Sequence, residues 1–445
     1  MRKNLKWVAL VCLMLPMFAS YFFDDMFSSI SSLFESASLT LLGWDAAGYG
    51  LYASGYSVLC VFGGLVIGGI LLDKWGVRVS GSIFVSMMVA GAGVVTWALL
   101  HGGSHSLSIA YAGVMFFGLG SEIAGTAVTR SIAKWFKGGP MALAMGLQLA
   151  IARLGTAFAL VLSPLLVAEQ ADHIYTLEET ARPALVGMGL MALGLILWAF
   201  FVALDARFDK RAALAPGGGL QQDAPRADET FRFKDVLGVL GNRNFWLLGL
   251  LCVFFYSSVI AFKKFAGAIL IPRFDIPAST AGWMVSMLPF STVIFAPLFG
   301  MLVDKAGKGT RWMIIGAVLA LAAHLLLAFA PTGVPFWGYL AMVFLGFGYS
   351  LVPAALWPSV PKIVPDKVLG TTFALIYWVQ NLGLLGFKML AGRIIGGLSS
   401  SEGLTGPVGT ELMFVTLSFA ALAVALILRR TSSLHPELGL DKGKN

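Results

Sequence analysis

Long apolar stretches recur along the whole chain and constrain its fold more than any other feature. Each has about 20 residues or more, the length of a helix that crosses the hydrocarbon core of a bilayer. Within that core the backbone N–H and C=O groups must pair inside the segment, so such stretches form helices. The sequence predicts twelve spans: 5–31, 45–72, 79–100, 107–134, 140–168, 183–205, 244–271, 279–303, 311–330, 335–361, 368–397 and 409–429.

Composition agrees with a membrane protein and argues against several soluble classes. Hydrophobic residues make up 58% of the chain and charged residues 12%, whereas soluble domains have about 25% charged residues. The net charge of +8 would suit a nucleic-acid-binding protein, but the basic residues lie in short loops rather than one patch. We therefore expect the lipid bilayer, and no nucleic acid, as a partner.

The three cysteines, Cys12, Cys60 and Cys252, all lie within apolar stretches and form no CxxC pair. We expect no disulfide, no metal site and no cofactor. The first stretch could be a signal peptide, but no clear cleavage site precedes a soluble domain, so we interpret it as the first span.

Lys and Arg residues predict the orientation of the twelve spans. If the N-terminus lies inside, the inner segments hold 23 basic residues and the outer loops hold three, Arg182, Arg273 and Arg393. Cytoplasmic loops carry the excess of Lys and Arg, so both termini are predicted to be cytoplasmic. The segment 206–243, rich in Gly, Pro and charge, is predicted to be a cytoplasmic linker between bundles 1–205 and 244–430, with a tail at 431–445.

A short motif, GxxxDKxG, ends the second span and the eighth span. It runs from Gly69 to Gly76 and again from Gly300 to Gly307. We expect its glycines to let neighbouring helices approach and its aspartates to pair with cations or cap helices. The candidate gating residues are Asp73, Lys74, Arg78, Arg130, Asp304 and Lys305, with Arg130 expected either to snorkel or to pair with Asp73.

Twelve spans, a central linker and a motif in both halves resemble the major facilitator superfamily. That resemblance implies an all-α membrane protein with two six-helix bundles, which rock about a site near the midplane. It also implies that the doubled motif closes the inner side of the outward-open state.

Two charges within the fourth and fifth spans are the leading site candidates. Inserting a charged residue costs about 2.5–3.5 kcal/mol, so Glu122 and Arg153 are expected to face a partner or a water-filled cavity. We interpret them as the two poles of a substrate site. The alternative is a buried Glu–Arg pair that only orients the helices.

Further charges lie in the first and seventh spans. Asp24 and Asp25 point about 100° apart on a helix, so at most one faces directly inward. Asp25 is a candidate proton or amine site, unless both aspartates are simply solvated. Lys263 and Lys264 could attract a carboxylate, unless both lie in a watery outer half of the span.

Aromatic and amide side chains in the remaining spans would suit a cavity for a small amphipathic solute. Interfacial belts or packing are the alternative for each one. The candidates are Gln148, Tyr256, Tyr349, Trp357, Tyr377, Gln380 and Asn381.

Three motifs carry a closer resemblance: GLGSE at 118–122, WFKG at 135–138 and ARLG at 152–155. In this order they resemble the lysosomal dipeptide transporter branch of the superfamily. That resemblance implies that Glu122 holds the peptide amino group, Arg153 holds its carboxylate and Asp25 is the first-helix aspartate. No lysosomal sorting signal is evident, so we expect a plasma (inner) membrane location.

The sequence as a whole predicts a secondary transporter that moves dipeptides by alternating access, with protons as a further candidate partner. An organic-anion or monocarboxylate transporter is the alternative, because Arg153, Lys263 and Lys264 could dominate the cavity. A transporter-like sensor without flux stays open. An enzyme is not expected, since the sequence contains no nucleophile–base series and no phosphate loop.

Overall fold

The computed structural model describes residues 3–137, 140–167, 173–213, 233–364, 368–397 and 406–441. These residues are almost entirely helical, and the β pairing among them is an isolated bridge between Thr40 and Tyr175. The helices are α1 (Lys3–Asp25), α2 (Ala46–Leu59), α3 (Leu65–His101), α4 (Ser106–Trp135), α5 (Met141–Leu166), α6 (Leu177–Ala213), α7 (Phe233–Leu240), α8 (Arg243–Tyr256), α9 (Phe262–Lys264), α10 (Ala266–Phe274), α11 (Ala278–Ala306), α12 (Gly309–Phe329), α13 (Pro335–Leu356), α14 (Leu369–Ile395) and α15 (Gly406–Leu434).

Eleven helical stretches in the described chain are long and apolar enough to cross a membrane, and one of them contains two crossings. That stretch runs for 56 residues from Ala46 to His101, and its backbone leaves the helical region at Gly76, with φ 72° and ψ 171°. A methyl group on Gly68 would lie 3.3 Å from the ring of Phe84, although a straight helix would separate these residues by about 24 Å. The chain therefore turns back near Gly76, which confirms the predicted twelve crossings.

The seventh crossing is irregular where it was predicted to be one helix. A π-helical turn at Ser257–Ala261 follows α8 and is followed by the short helix α9 and then α10. Turns of this type occur often at functional sites. Here the irregular segment carries Lys263 and Lys264, both of which are buried.

The face on which α1 begins and α15 ends is called the terminus face, and the other the opposite face. At the opposite face the first six crossings pack closely against the last six, and glycines lie at the points of closest approach. A methyl group on Gly50 would lie 2.8 Å from Cα of Gly392, and one on Gly282 would lie 2.2 Å from the carbonyl oxygen of Leu160. The interior is therefore closed at the opposite face.

The GxxxDKxG motifs lie at the terminus face and are not packed in this way. A methyl group on Gly69 or on Gly300 would meet no atom within 4 Å. The expectation that these glycines bring helices together is therefore wrong for this structure. Because the two halves meet mainly at the opposite face, Asp73, beside the turn within α3, and Asp304, near the end of α11, remain exposed.

The predicted linker and tail are partly helical. Helix α6 continues to Ala213 and α7 covers Phe233–Leu240, while residues 214–232 lie outside the described chain. In the tail, Asp441 accepts hydrogen bonds from the backbone N–H of Thr310 at 2.9 Å and from the Ser432 hydroxyl at 2.8 Å. The tail is therefore bound to the start of α12.

Candidate functional site

Arg153 lies in the middle of α5 and reaches across to helices on both sides. Its Nη1 donates a hydrogen bond of 3.0 Å to the hydroxyl of Tyr349 on α13. Its guanidinium carbon lies 5.4 Å from the ring centroid of Tyr349 and 5.6 Å from that of Tyr21 on α1. Within the described chain no salt bridge holds Arg153, so aromatic side chains from both halves position a cation that keeps free donors.

Glu122 lies on α4 and is held by a neighbour from α2. The hydroxyl of Tyr56 donates to Glu122 Oε1 at 3.1 Å and also lies 3.2 Å from the hydroxyl of Ser121. No salt bridge joins Glu122 to a cation among the described residues, so the alternative of a buried Glu122–Arg153 pair is wrong here. Tyr21 also interacts electrostatically with both charges, so it lies near both poles.

Four charged side chains form a second site, the acid–lysine cluster of Asp24, Asp25, Lys263 and Lys264. Lys263 Nζ lies 2.6 Å from Asp25 Oδ2, and Lys264 Nζ lies 3.0 Å from Asp25 Oδ1 and 2.9 Å from Asp24 Oδ2. Thr156 on α5 also donates to Asp25, at 2.7 Å. The cluster joins α1 to α9 near the opposite face, and so it links the two halves of the molecule.

This arrangement corrects two alternatives for these residues. The lysines are not in a watery half of the span, because Lys263 is 8% exposed and Lys264 is 2% exposed. The aspartates are not simply solvated, because both are paired and Asp25 is buried. In this structure the ammonium groups of both lysines are paired with aspartates.

Aromatic candidates from the second half come together in a wall beside Arg153. Trp357 donates from Nε1 to the hydroxyl of Tyr256 at 3.0 Å, and its ring stacks on Tyr377 with centroids 5.0 Å apart. The ring of Tyr256 lies 6.2 Å from that of Tyr349. Residues far apart in the sequence thus form one surface that ends at the guanidinium.

The amide candidates differ in how they are used. Gln380 accepts a hydrogen bond from the thiol of Cys252 at 3.2 Å, and Asn381 donates to the carbonyl of Tyr377 at 3.1 Å within its own helix. Both are buried between helices. Gln148 is partly buried on α5, five residues before Arg153.

The gating candidates of the first half form ion pairs at the terminus face. Arg130 Nη1 lies 2.5 Å from Asp73 Oδ1, which is one of the two arrangements expected for this arginine. Arg78 Nη2 lies 3.1 Å from Asp209 on α6, and Lys134 lies 2.9 Å from Asp205. These bonds connect α3, α4 and α6 within one half, whereas Lys74 and Lys305 are exposed.

Four contributors to these sites were missed or undervalued in the sequence: Tyr21, Tyr56, Thr156 and Lys388. The first three are common hydroxyl residues of apolar spans and carry no sequence signal of their own. Lys388 did carry one, as a charge within a span. It is 2% exposed, donates to the carbonyl of Ala53 at 3.2 Å and lies 5.5 Å from the ring centroid of Tyr56.

A small cavity lies between Arg153 and the acid–lysine cluster. Its volume is 10 Å³, and its polar lining comes from Arg153, Thr156, Lys263 and Tyr349. That volume is about the size of one water molecule. This cavity therefore admits nothing larger.

The chain matches a family model described as Major Facilitator Superfamily over residues 15–387 and 272–439. It is 30% identical over 383 residues to the Lysosomal dipeptide transporter MFSD1 of Homo sapiens, covering 85% of this chain and 76% of that protein. For the protein of the same name from Danio rerio the identity is 29% over 416 residues, covering 92% and 84%.

Solved structures with the same fold include transporters of several kinds. The nucleoside transporter NupG superposes with a TM-score of 0.68 at 14% identity, covering 96% of this chain and 99% of that one. The xylose transporter XylE from E. coli in its inward open conformation gives 0.70 at 14% identity, covering 95% and 96%. The peptide transporter POT in complex with sulfate gives 0.65 at 16% identity, covering 97% and 96%.

Proposed function

Because the chain belongs to the major facilitator superfamily and is a multi-pass membrane transporter, we propose that it carries dipeptides by alternating access. Bundles 1–205 and 244–430 would rock about the region between Glu122 and Arg153, so that this region opens to one face at a time. Curated relatives that match most of this chain are named as lysosomal dipeptide transporters, which supports the proposal.

The observation that carries the proposal is the separation of the two poles. Glu122 and Arg153 are each held by a tyrosine hydroxyl and not by each other. A zwitterionic dipeptide has an ammonium group for the carboxylate and a carboxylate for the guanidinium, and charge-assisted hydrogen bonds of this kind are about twice as strong as neutral ones. Tyr21 and the aromatic wall would contact the peptide between its ends.

An anion substrate is supported less well. That alternative needs several free cations in the cavity, but Lys263 and Lys264 are neutralised by Asp25 and Asp24. Arg153 then remains opposite Glu122, and a monocarboxylate would leave that glutamate without a partner.

The acid–lysine cluster would hold the opposite face closed, and in this role we call it the latch. When that face opens, α1 and α9 separate, and the lysines leave the aspartates that hold them here. Separating buried charges is unfavourable until water enters, so the latch would stabilise the closed face until substrate binding repacks the helices.

We also propose a plasma (inner) membrane location, since the sequence shows no evident lysosomal sorting signal. Both termini would lie in the cytoplasm, which the basic loops on the terminus face support. The relatives are named lysosomal. Lysosomal proteins also keep the side with basic loops in the cytoplasm, so the orientation does not depend on the organelle.

Uptake by purified protein in liposomes tests the substrate. We expect uptake of labelled dialanine, little of its N-acetyl derivative and little of its amide, because each derivative removes the charge at one end. Glu122→Gln and Arg153→Gln should each reduce uptake by at least about tenfold, the effect of losing about 1.4 kcal/mol of binding. Matched controls are Glu178→Gln and Arg182→Gln, which remove the same charges at exposed positions and should leave uptake unchanged.

Two results would decide against dipeptides. If dialanine neither binds nor moves while lactate is taken up, the monocarboxylate alternative is correct. If the N-acetyl and amide derivatives move as fast as dialanine, Glu122 and Arg153 do not recognise the two ends. An imposed pH gradient across the same liposomes tests protons as a coupled partner, because uptake that ignores the gradient is not driven by it.

A further inference from the structure

A buried pair of ionisable side chains lies in the second half, outside the candidate substrate site. His324 on α12 and Glu411 on α15 are 0% and 1% exposed, and His324 Nδ1 lies 2.9 Å from Glu411 Oε2. The pair faces neither the aromatic wall nor the small cavity beside Arg153. Substrate recognition therefore does not account for it.

Half of the hydrogen-bonding capacity of the pair is unused. His324 Nε2 and Glu411 Oε1 are buried and have no hydrogen-bond partner among the described residues. The large majority of buried side-chain polar atoms in proteins have a hydrogen-bond partner, and two apolar side chains at such positions are often at least as stable as an ion pair. Packing alone therefore gives no reason for a histidine and a glutamate here.

The pair has two protonation states that differ by one charge. With one proton on the imidazole and an ionised carboxylate, the pair carries a full negative charge in an apolar bundle. A second proton gives a neutral pair, either imidazolium with carboxylate or imidazole with carboxylic acid. Burial favours the neutral pair, because an uncompensated buried charge is strongly unfavourable.

One cation outside the pair stabilises the negatively charged state, in which the pair holds a single proton. Arg273 on α10 acts electrostatically on Glu411, while its own donors bind the carbonyls of Leu327 at 2.9 Å and Ala328 at 2.8 Å. It therefore supplies positive potential without forming a salt bridge to Glu411.

The remaining helices packed against the pair contribute no opposing charge. Helix α13 carries no acidic, basic or histidine residue, and α8 has only Arg243, at its terminus-face end. Ionisable side chains buried on α8 and α13 bond elsewhere: Cys252 to Gln380, Tyr256 to Trp357 and Tyr349 to Arg153. Helix α14 also packs on α15, and its buried Lys388 donates to the carbonyl of Ala53.

One aromatic residue connects the pair to the acid–lysine cluster. The ring of Phe262 lies 5.4 Å from the imidazole of His324 in an edge-on arrangement, and 6.0 Å from the ring of Phe414. Phe262 directly precedes Lys263, whose ammonium group holds Asp25. A movement of α9 that separates these charges must also move Phe262 relative to the imidazole.

We propose that His324 and Glu411 form an exchangeable proton-binding site, and that Phe262 links its occupancy to the opening of the opposite face. The second proton favours the closed face, because the neutral pair tolerates burial and an imidazolium attracts the aromatic rings around it. Opening moves Phe262 away and favours release. For one linked proton, the ratio of closed to open molecules changes by at most tenfold per pH unit.

Nitrogen NMR of histidine-labelled protein in membranes tests proton binding. The chain has five histidines, so His324→Gln identifies one signal. We expect that signal to change its protonation or tautomer between about pH 5 and 8, the range in which histidine charges change, and to lose this change in Glu411→Gln. A His324 signal that stays constant over this range overturns the site.

Distances between spin labels test the link to the opposite face. Labels on Leu41→Cys and Val334→Cys lie in exposed loops of the two halves at this face, and the native cysteines are buried. In the wild-type background acidification should increase the short-distance, closed population. The double change His324→Gln with Glu411→Gln keeps a hydrogen bond without titratable groups and should abolish the shift, whereas His101→Gln, at an exposed position, should retain it.

A shift that survives in the double variant, or one in the opposite direction, overturns the link. Neither measurement uses a peptide, so these outcomes are independent of whether dialanine is transported.

Discussion

Lys263 and Lys388 are both lysines buried in the membrane region, yet their partners differ. Lys263 meets a carboxylate at 2.6 Å, whereas Lys388 has one carbonyl and the face of Tyr56. The same tyrosine holds Glu122 through its hydroxyl. Lys388 is thus separated from the Glu122 pole by a single ring, and we infer that it contributes to transport rather than to stability.

Replacing this lysine separates the two roles. Lys388→Met keeps most of the volume and removes a buried cation that has no carboxylate partner, so the free energy of unfolding should rise by about 1 kcal/mol or more. Dialanine uptake should fall, while Lys388→Arg should retain part of it. Denaturant unfolding of purified protein and the liposome assay measure the two effects. Lower stability together with normal uptake would make Lys388 a structural residue.

The charges of these sites could be predicted from the sequence, but their partners could not. Glu122, Arg153 and the lysine pair are conspicuous because each interrupts an apolar stretch. Asp25 and Lys263 lie 238 residues apart, and Arg153 and Tyr349 lie 196 apart. No local pattern encodes such contacts, because they arise only when the two halves pack together.

At the scale of elements, the helices followed from hydropathy, whereas their interruptions did not. Gly76 is a visible reason for the turn between the second and third crossings, because glycine tolerates its positive φ. The irregular turn at Ser257–Ala261 contains neither glycine nor proline. Its cause is tertiary, since it precedes the segment whose lysines reach α1.

Asp25 on α1 and Lys263 on α9 should be coupled in their contributions to the free energy of unfolding. Asp25→Asn leaves Lys263 buried without its carboxylate, which typically costs about 3–5 kcal/mol. Adding Lys263→Met should recover much of this loss, because the uncompensated cation is then removed. Denaturant unfolding of the single and double variants measures the coupling. Simple addition of the two single effects would mean that the pair does not hold the helices together.

At the scale of the whole molecule, a change between two states would account for Gly69 and Gly300, which have no neighbours in this structure. Gly50 and Gly392 are in contact at the closed opposite face, whereas Gly69 and Gly300 have open space at the terminus face. In an alternating-access cycle the contacts exchange: the terminus face closes while the opposite face opens. The motif glycines would then come into contact in the other state.

A bulky side chain at Gly69 should therefore prevent the terminus face from closing, whereas one at Gly50 should prevent the opposite face from closing. A methyl group added at Gly69 meets no atom within 4 Å, and leucine favours helix by up to about 1 kcal/mol over glycine, so Gly69→Leu should leave stability unchanged or slightly higher. Dialanine uptake should nevertheless be lost, because the terminus face can no longer close. Gly50→Leu forces the opposite face apart and should lengthen the distance between labels on Leu41→Cys and Val334→Cys. Normal uptake by Gly69→Leu, or an unchanged label distance in Gly50→Leu, would mean that these faces do not alternate.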